Sequence, residues 1–429
     1  MRRRWLAAGA AVLVAATGAA GAGCERRARE IRSEAELKEA VRRMMPAVER
    51  ATGLAFKRQP AVLRRTRAQV RDYVIRKFDH DLPPAELAGA QAAYRLFGLI
   101  PDTLDLRRTM IDLLTEQVAG YFDPDSDALY LPTDIDPGQA RLVISHELVH
   151  ALQDQYLNLD SLVELKRQND RRTAAQAVLE GQATLAQILV LMPEQQVESL
   201  PDFWALRTAL GRQAQQMPAF ANAPLWLRES LLFPYLGGAE FVRWFARRYP
   251  GKQPYGALMP VSTEQILHPA RYAAGDRPVA IAFAAPPPPG DGAVRYEDGL
   301  GEFEIRLLLE QYLGGDSAVD TLAAGWNGDR YRVIAAPEGG AGGAGGAGGA
   351  GGAALVWYTL WDDRATADRF ARALARAWTR RRAGAPAGTP PRRWDVARLE
   401  VGGVAAVRLV DAPARWAGWA RLPAIRIGR

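Results

Sequence analysis

Two of the chain's four histidines lie four residues apart in RLVISHELVHALQDQ, residues 141–155. His146 and His150 are one helical turn apart, so on a helix both imidazoles project from one face and can bind one metal ion. Zinc suits such nitrogen ligands. Glu147 lies about 100° round the helix from His146, beside the ion, where its carboxylate can take a proton from water that attacks a carbonyl. The spacing predicts one zinc ion per chain, with Glu147 as general base.

A catalytic zinc site needs a third protein ligand and one open position. Asp154 continues the histidine stripe, but it lies about 12 Å along the helix from His146, too far to share the ion, so we interpret it as a supporting or surface residue. Glu180 lies among small and apolar residues in AAQAVLEGQATLAQ, where an unpaired carboxylate is costly to bury. We predict Glu180 as the third ligand, with the Thr184 hydroxyl as its support and Gly181 allowing close approach to the histidine helix.

These motifs carry a family resemblance. HELVH followed by a helix with EGQAT resembles the gluzincin class of zinc metallopeptidases. HELVHALQDQ with LEGQAT resembles an uncharacterised family of bacterial exported or lipoprotein metallopeptidases, over roughly residues 110–275. The resemblance implies a zincin-like core with zinc on His146, His150 and Glu180. The chain has Thr184 where some gluzincins place an aspartate, which leaves the support of the glutamate ligand open.

Hydrolysis also needs a donor for the developing oxyanion. STEQILHPARY, residues 262–272, supplies His268 and Tyr272 outside the main helices. We take both as candidate stabilisers. The alternative for His268 is an ordinary surface or core histidine.

The elements that position these residues follow from hydrophobic periodicity. A first helix is predicted with Ser33 as N-cap and Glu36 at the capping-box position. A turn cluster from Asp123 to Asp127, between aromatic and apolar runs, predicts a β-hairpin directly before the motif helix. Further helices are predicted at 66–79, 84–98, 104–118, 138–157, 171–191, 203–216 and 225–248.

The hairpin also suggests how a peptide substrate binds. A strand edge can add an extended peptide as a further strand, with main-chain hydrogen bonds supplying the affinity. We expect this of the hairpin beside the motif helix, so a proline at Leu129 should impair peptide cleavage.

The fold class that these patterns predict is α+β and mainly helical. A tether and N-terminal helix at 24–55 lead into a zincin-like catalytic domain at 56–283, with the small hairpin sheet before the active-site helix. The proline-rich stretch at 284–299 is interpreted as a linker to a C-terminal α+β unit at 300–429. The Gly/Ala tract at 339–354 is interpreted as a flexible insertion in a hairpin loop of that unit.

The N-terminus predicts export. Residues 1–23 have the positive, apolar and small-residue regions of a signal peptide. Cys24, the chain's single cysteine, follows directly and resembles the lipobox cysteine of a bacterial lipoprotein, although Gly21 stands where a branched apolar residue is usual. We expect a protein of the cell envelope, anchored to a membrane through lipidated Cys24. A secreted protein and an uncleaved anchor are the alternatives.

Composition limits the partners. The formal net charge of +7 falls to about +4 once the three arginines of the signal peptide leave, and basic residues do not cluster in long runs. No nucleic-acid partner is therefore predicted. The partner expected is a peptide or protein substrate.

Three functions remain open from the sequence. The first is a zinc-dependent peptidase of the bacterial cell envelope. The second is a non-catalytic envelope lipoprotein in which zinc, or no metal, only stabilises the helices while the C-terminal unit binds a partner. The third is a zinc amidase that acts on cell-wall peptide. The general base beside a three-ligand site favours hydrolysis, since structural zinc sites tend to have four protein ligands.

Overall fold

The computed structural model describes residues 33–157, 159, 165–200, 202–207, 212, 215–288, 290–315, 317–336, 352–384 and 391–428. The predicted signal peptide and Cys24 lie outside the described residues, as does the Gly/Ala tract up to residue 351. The described residues are mainly helical and carry mixed and antiparallel sheets, so the predicted α+β class is confirmed.

The helices lie largely where the periodicity predicts them. In chain order they are α1 (Glu34–Thr52), α2 (Arg67–Asp81), α3 (Pro84–Phe97), α4 (Leu106–Gln117), α5 (Pro137–Tyr156), α6 (Asn169–Leu191), α7 (Pro218–Ala221), α8 (Leu225–Arg248), α9 (Thr263–Leu267), α10 (Pro269–Ala274), α11 (Gly301–Leu313), α12 (Ser317–Ala323) and α13 (Arg364–Ala383). The predicted helix at 203–216 begins as a short 3-10 turn, Phe203–Leu206, and much of its remainder lies outside the described residues.

The strands form three sheets. They are β1 (Ala61–Arg65), β2 (Tyr121–Asp123), β3 (Ala128–Pro132), β4 (Ile281–Phe283), β5 (Val294–Asp298), β6 (Trp326–Ala335), β7 (Ala353–Trp361), β8 (Arg392–Val401), β9 (Val404–Pro413) and β10 (Ile425–Ile427). The first sheet has the order β1-β3-β2, in which β1 runs parallel to β3 and β2 antiparallel. The second pairs β4 with β10, and the third is an antiparallel sheet of order β5-β6-β7-β9-β8.

Local caps fix where the first and the motif helices begin. The Ser33 hydroxyl accepts from the Glu36 N–H, and the Glu36 carboxylate accepts from the Ser33 N–H, so the predicted capping box is present. The Asp136 carboxylate accepts from the Gly138 N–H at 2.8 Å, and Pro137 occupies the first turn of α5, where its missing N–H costs nothing. Directly after the hairpin, α5 therefore starts at a defined residue.

Helix α6 is the buried centre of the helical part. It is the one helix of the described residues that is long and apolar enough to cross a membrane, but 78% of its most apolar window is buried inside the protein. Every residue from 177 to 188 is buried, Glu180 included. This is the pattern of a core helix surrounded by other elements, and it carries the predicted third ligand into the interior.

Glycine allows α6 and α8 to touch at the backbone. A Cβ at Gly238 would collide with the carbonyl of Ala177, and a Cβ at Gly181 would collide with the backbone of Gly238. The two helix backbones are therefore in direct contact at these glycines. The predicted role of Gly181 is wrong, since the close backbone contact recorded at Gly181 is with α8 and not with the histidine helix α5.

The N-terminal helix belongs to the scaffold of the histidine helix. Leu37, Val41 and Val48 of α1 are buried in a core that also includes side chains of β1, β3, α5 and α6. Residues 34–52, interpreted from the sequence as separate from the catalytic domain, therefore pack directly against the helices that carry the candidate ligands.

The C-terminal unit begins earlier than predicted. Residues 294–298, assigned from the sequence to a linker, form β5 and pair with β6 at the edge of the five-stranded sheet. β4, at the predicted end of the catalytic domain, pairs with β10 near the C-terminus. A single buried hydrophobic cluster contains residues from both the helical part and the five-stranded sheet. The linker assignment is therefore wrong for β5, because the prolines that suggested a linker end at 289 and the strand forms by long-range pairing with β6.

Buried carboxylates attach the C-terminal unit to the start of α6. Asp298 accepts from the Asn169 N–H at 3.0 Å. Asp329 accepts from the N–H groups of Leu300 and Gly301 at 2.8 and 2.9 Å, which fixes the loop that leads into α11. The helix that carries Glu180 is thus held at its N-terminus by the C-terminal unit.

Candidate metal centre

The structure brings the three predicted ligands together. His146 and His150 project from α5, and Glu180 faces them from α6. His146 Nε2 lies 3.1 Å from His150 Nε2 and 3.2 Å from Glu180 Oε2, and His150 Nε2 lies 3.4 Å from the same oxygen. All three side chains are at most 2% exposed. They form a buried group that could hold a metal ion.

The size of this triangle fits zinc. Zinc–nitrogen and zinc–oxygen bonds of about 2.0–2.1 Å in tetrahedral geometry place neighbouring ligand atoms about 3.3 Å apart. The three observed separations, from 3.1 to 3.4 Å, lie around that value. One nitrogen from each imidazole and one carboxylate oxygen are also a donor set that zinc favours. The residues present therefore fit a zinc ion with a fourth position left for another ligand.

The charges of the group are strongly coupled. Burial alone would raise the pKa of Glu180, but the neighbouring His150 and His146 outweigh it and hold that pKa well below its usual range. Burial opposes the charged form of His150, yet the Glu180 carboxylate raises the His150 pKa to about 9. Burial lowers the pKa of His146. Glu180 is thus an anion that attracts positive charge to this position, and a cation that binds there takes the place of a proton.

Glu147 lies beside the group with one oxygen engaged. Its Oε2 accepts from the backbone N–H of Phe122 in β2 at 2.8 Å, while its Oε1 is buried and has no hydrogen-bond partner among the described residues. Burial raises the pKa of Glu147 to about 8, and the charges of His150 and Glu180 also act on it. The ionised form of this carboxylate is therefore a stronger proton acceptor than that of an exposed glutamate, which suits a general base.

The predictions for the two residues expected near the ligands, Thr184 and Asp154, have different outcomes. Thr184 was expected to support Glu180, but its buried hydroxyl has no hydrogen-bond partner in the described part of the chain, so that prediction is wrong. Asp154 forms an ion pair with Arg58 at 3.3 Å near the surface, which agrees with its interpretation as a surface partner. The support that the structure does provide comes from Gln153, whose Oε1 lies 2.9 Å from His150 Nδ1.

His268 and Tyr272 make their hydrogen bonds elsewhere. His268 Nε2 lies 2.7 Å from Glu302 Oε1, and the Tyr272 hydroxyl donates to the Leu258 carbonyl at 2.8 Å. Among the described residues, neither side chain hydrogen-bonds to a member of the metal group.

The segment that carries these two residues is attached far from Glu180. The N–H of Thr263, at the start of α9, donates to Asp170 at 3.0 Å. Asp170 is ten residues from Glu180 along α6, which corresponds to about 15 Å. The expectation that His268 and Tyr272 stabilise an oxyanion at this centre therefore has no support in the geometry.

The hairpin lies next to the centre in a different way than predicted. Leu129 is in β3, the central strand, between β1 and β2, so a proline there would disrupt the whole sheet and would not test a free edge. The edge strands are β1 and β2, and in β2 the N–H of Phe122 is already bonded to Glu147. At this residue the strand orients the candidate base and has no N–H to offer a peptide.

Two features of the centre were not predicted from the sequence. The ring of Tyr235, in α8, lies 6.1 Å from the His146 ring, centroid to centroid, and is 8% exposed. Gln153 and Gln182 lie close to the ligands along α5 and α6. The glutamines had a signal, because Gln153 is three residues after His150 and so shares its side of the helix. Tyr235 had none, because α8 meets α5 and α6 only through tertiary packing.

Comparisons with known proteins concern the C-terminal unit alone. A family described as a domain of unknown function (DUF8575) matches residues 292–417. This range covers the five-stranded sheet with α13 and includes no residue of the metal group. Neither a curated protein nor a solved structure matches the chain. The chemistry of the metal group therefore rests on its own geometry.

Proposed function

We propose that the chain is a zinc-dependent peptidase with a gluzincin-like ligand set, His146, His150 and Glu180, and with Glu147 as general base. The observation that carries the proposal is the triangle of ligand atoms, 3.1 to 3.4 Å on a side, beside a buried oxygen of Glu147 that no described residue hydrogen-bonds. Structural zinc sites usually have four protein ligands. A group of three ligands with an adjacent base is instead typical of hydrolysis.

Each residue has a task in this proposal. Zinc in such a site supplies a Lewis acid that polarises a carbonyl oxygen and makes water more acidic. The Phe122 N–H fixes Glu147 Oε2, so Oε1 is the atom that accepts a proton from water and passes it to the leaving amine. Tyr235, beside His146, replaces His268 and Tyr272 as the candidate donor to the developing oxyanion.

The proposed setting is the bacterial cell envelope. The signal-peptide pattern and Cys24 support export and a lipid anchor, and the substrate class would be peptide or protein outside the cytoplasm.

A second candidate function is supported by the burial of the centre. His146, Glu147 and His150 are each 1% exposed, and a polypeptide cannot reach groups so covered without an opening. A metal that only joins α5 to α6 needs no such access. In this alternative the protein is a non-catalytic envelope lipoprotein, and Glu147 has no chemical role.

One experiment separates the two candidates. Purified full-length chain is analysed for metal and incubated with a peptide library and with cell-wall peptides, before and after zinc is removed by a chelator and restored. The peptidase predicts one zinc per chain and cleavage of library peptides that stops with the chelator and returns with zinc. Bound zinc without any cleavage supports the structural site, and cleavage confined to cell-wall peptide supports the amidase.

A further inference from the structure

A series of buried amide side chains starts at His150 and leads away from the metal group. His150 Nδ1, the ring nitrogen outside the ligand triangle, lies 2.9 Å from Gln153 Oε1. Gln153 is on the same helix and is fully buried. The orientation of this one amide therefore decides whether His150 Nδ1 must donate or accept.

The surroundings of Gln153 fix that orientation. Its amide nitrogen donates to the Leu179 carbonyl at 3.0 Å and to Gln182 Oε1 at 3.0 Å. A backbone carbonyl can only accept, so the nitrogen of the amide must face Leu179 and its oxygen must face His150. His150 Nδ1 must then carry a hydrogen, and the lone pair of the neutral ring lies on Nε2, inside the triangle.

The hydrogen bonds of the next residues in the series run in the same direction. Gln182 Oε1 also accepts from the Tyr255 hydroxyl, which leaves the Gln182 nitrogen to donate to Gln253 Oε1 at 2.8 Å. The Gln253 nitrogen in turn donates to the Thr52 carbonyl at the end of α1, also at 2.8 Å. Each amide donates away from the metal group. The carbonyls of Leu179, beside Gln153, and of Thr52, at the far end, fix this direction because a backbone carbonyl can only accept.

We propose that Gln153, oriented by Gln182, is a positioning residue that commits His150 to the tautomer whose Nε2 binds metal. The inference rests on the metal site of the proposed function and adds the source of its affinity. A ring whose tautomer and angle are fixed in advance loses less freedom when it binds an ion, and loss of such support typically costs 10–100-fold in metal affinity. Without Gln153 the ring can place its hydrogen on either nitrogen.

The test compares three substitutions of buried glutamine by methionine, which is also unbranched and cannot form these bonds. Gln153→Met removes the partner of His150, and Gln182→Met removes one of the two acceptors that orient Gln153. Gln187→Met is the matched control, because Gln187 is equally buried on α6 and donates to the Leu142 carbonyl of α5 at 2.7 Å without touching either histidine.

The first measurement is zinc affinity by chelator competition at one pH. Gln153→Met is expected to bind zinc at least about tenfold more weakly than the wild type, Gln182→Met to weaken binding less, and Gln187→Met to stay within about twofold. Equal losses in Gln153→Met and Gln187→Met would mean that the amide contributes only to general stability and would overturn the proposal. Unchanged affinity in Gln153→Met would overturn it as well.

The second measurement is the NMR signal of the His150 Nδ1–H, and its result for the wild type does not depend on whether a variant folds. In zinc-loaded wild type labelled with nitrogen-15 at its four histidines, His150 should show a slowly exchanging Nδ1–H. That signal should persist in Gln187→Met and exchange rapidly or vanish in Gln153→Met. A wild-type protein with the hydrogen absent from His150 Nδ1 would contradict the proposal whatever the variants do.

The outcome is separable from that of the proposed function, because neither measurement uses a substrate. Wild type that binds zinc and cleaves no peptide would remove the peptidase proposal and leave the role of Gln153 standing. Wild type that binds no zinc would overturn both.

Discussion

The backbone N–H of Phe122 donates to Glu147 Oε2 at 2.8 Å and so joins the hairpin to the motif helix. Phe122 lies in edge strand β2, and the N–H that bonds Glu147 is therefore not available to an added strand. The contact assigns different tasks to the two oxygens of one carboxylate. Oε2 holds the side chain in place, and Oε1 is the atom to which we assign the proposed proton transfer.

Glu147→Gln should separate catalysis from metal binding. The glutamine oxygen can still accept from Phe122, and Glu147 is not a member of the ligand triangle, so the variant should fold and retain zinc. Its amide cannot accept a proton from water, so peptide hydrolysis should fall by about 10²–10⁴-fold. Metal analysis and peptide cleavage are measured on the same preparation.

Two comparisons make that result specific. Asp154→Asn changes an acidic residue on the same helix that pairs with Arg58 near the surface, and it should leave hydrolysis unchanged. His146→Ala removes a ligand and should lose zinc and hydrolysis together. Full activity in Glu147→Gln would favour the structural zinc site over the peptidase.

Gly238→Ala should disturb the metal group through the contact between α6 and α8. The added methyl would collide with the Ala177 carbonyl, and backbone atoms cannot rotate out of the way as a side chain can. Such overpacking typically costs about 1–3 kcal/mol. We expect lower stability in urea unfolding, and weaker zinc binding because α6 carries Glu180.

The neighbouring glycine provides the control. A methyl at Gly237 would meet the side chains of Phe233 and Trp204, which can adjust by rotation. Gly237→Ala should therefore cost less stability than Gly238→Ala and leave zinc affinity unchanged. Equal losses in the two variants would argue against a backbone contact as the cause.

The ligand group was predictable because it depends on local order. His146 and His150 need only a helix, and Glu180 stands out as a carboxylate in an apolar helical run. The capping box at Ser33 and the hairpin before α5 are equally local, and the structure contains both. Short-range spacing thus predicts the parts of this site that lie on one or two helices.

The rest of the site depends on long-range packing. His268 and Tyr272 have suitable chemistry, but α9 is attached near Asp170, far along α6 from Glu180, and the Tyr272 hydroxyl bonds to the Leu258 carbonyl. Tyr235 reaches His146 only because glycine lets α8 touch α6. Likewise β5 is a strand because β6 pairs with it, and the local sequence gives no sign of that distant partner. Residue types alone do not predict which helices pack against each other.

Glu304 should make stability depend on pH. Burial raises its pKa to about 8, against hydrogen bonds from Trp226 and Tyr94 that favour the ionised form. Between about pH 4.5, where the unfolded chain releases this proton, and about pH 8, the folded protein binds more protons than the unfolded one. The contribution of Glu304 to the free energy of unfolding is therefore largest at low pH and is lost as the pH rises through that window.

Glu304→Gln tests that sign. Glutamine has no proton to lose and keeps an acceptor for Trp226 and Tyr94. The free energy of unfolding of the variant relative to the wild type should therefore increase from pH 5 to pH 8 in urea titrations. A difference that stays constant over this range, or that shrinks, would contradict the prediction.

Asp411 should be essential to the C-terminal unit. Burial would raise its pKa, but the neighbouring Arg392 and Arg382 outweigh this and keep the carboxylate ionised. Arg392 Nε donates to it at 2.7 Å, and Arg381 lies 3.7 Å away. Three guanidinium groups thus surround one fully buried anion. Asp411→Asn removes the countercharge and leaves these cations together in a poorly hydrated place, which typically costs about 3–5 kcal/mol.

Asp395→Asn on the neighbouring strand β8 is the matched change. Asp395 pairs with Arg408 at 3.2 Å, but its side chain is 43% exposed, so water replaces the lost interaction and the cost should stay below about 1 kcal/mol. Urea unfolding of both variants measures the difference. Because the C-terminal unit holds the start of α6 through Asp298, Asp411→Asn should also weaken zinc binding at Glu180, whereas Asp395→Asn should not. Loss of stability without any loss of zinc affinity would mean that α6 keeps its position independently of that unit.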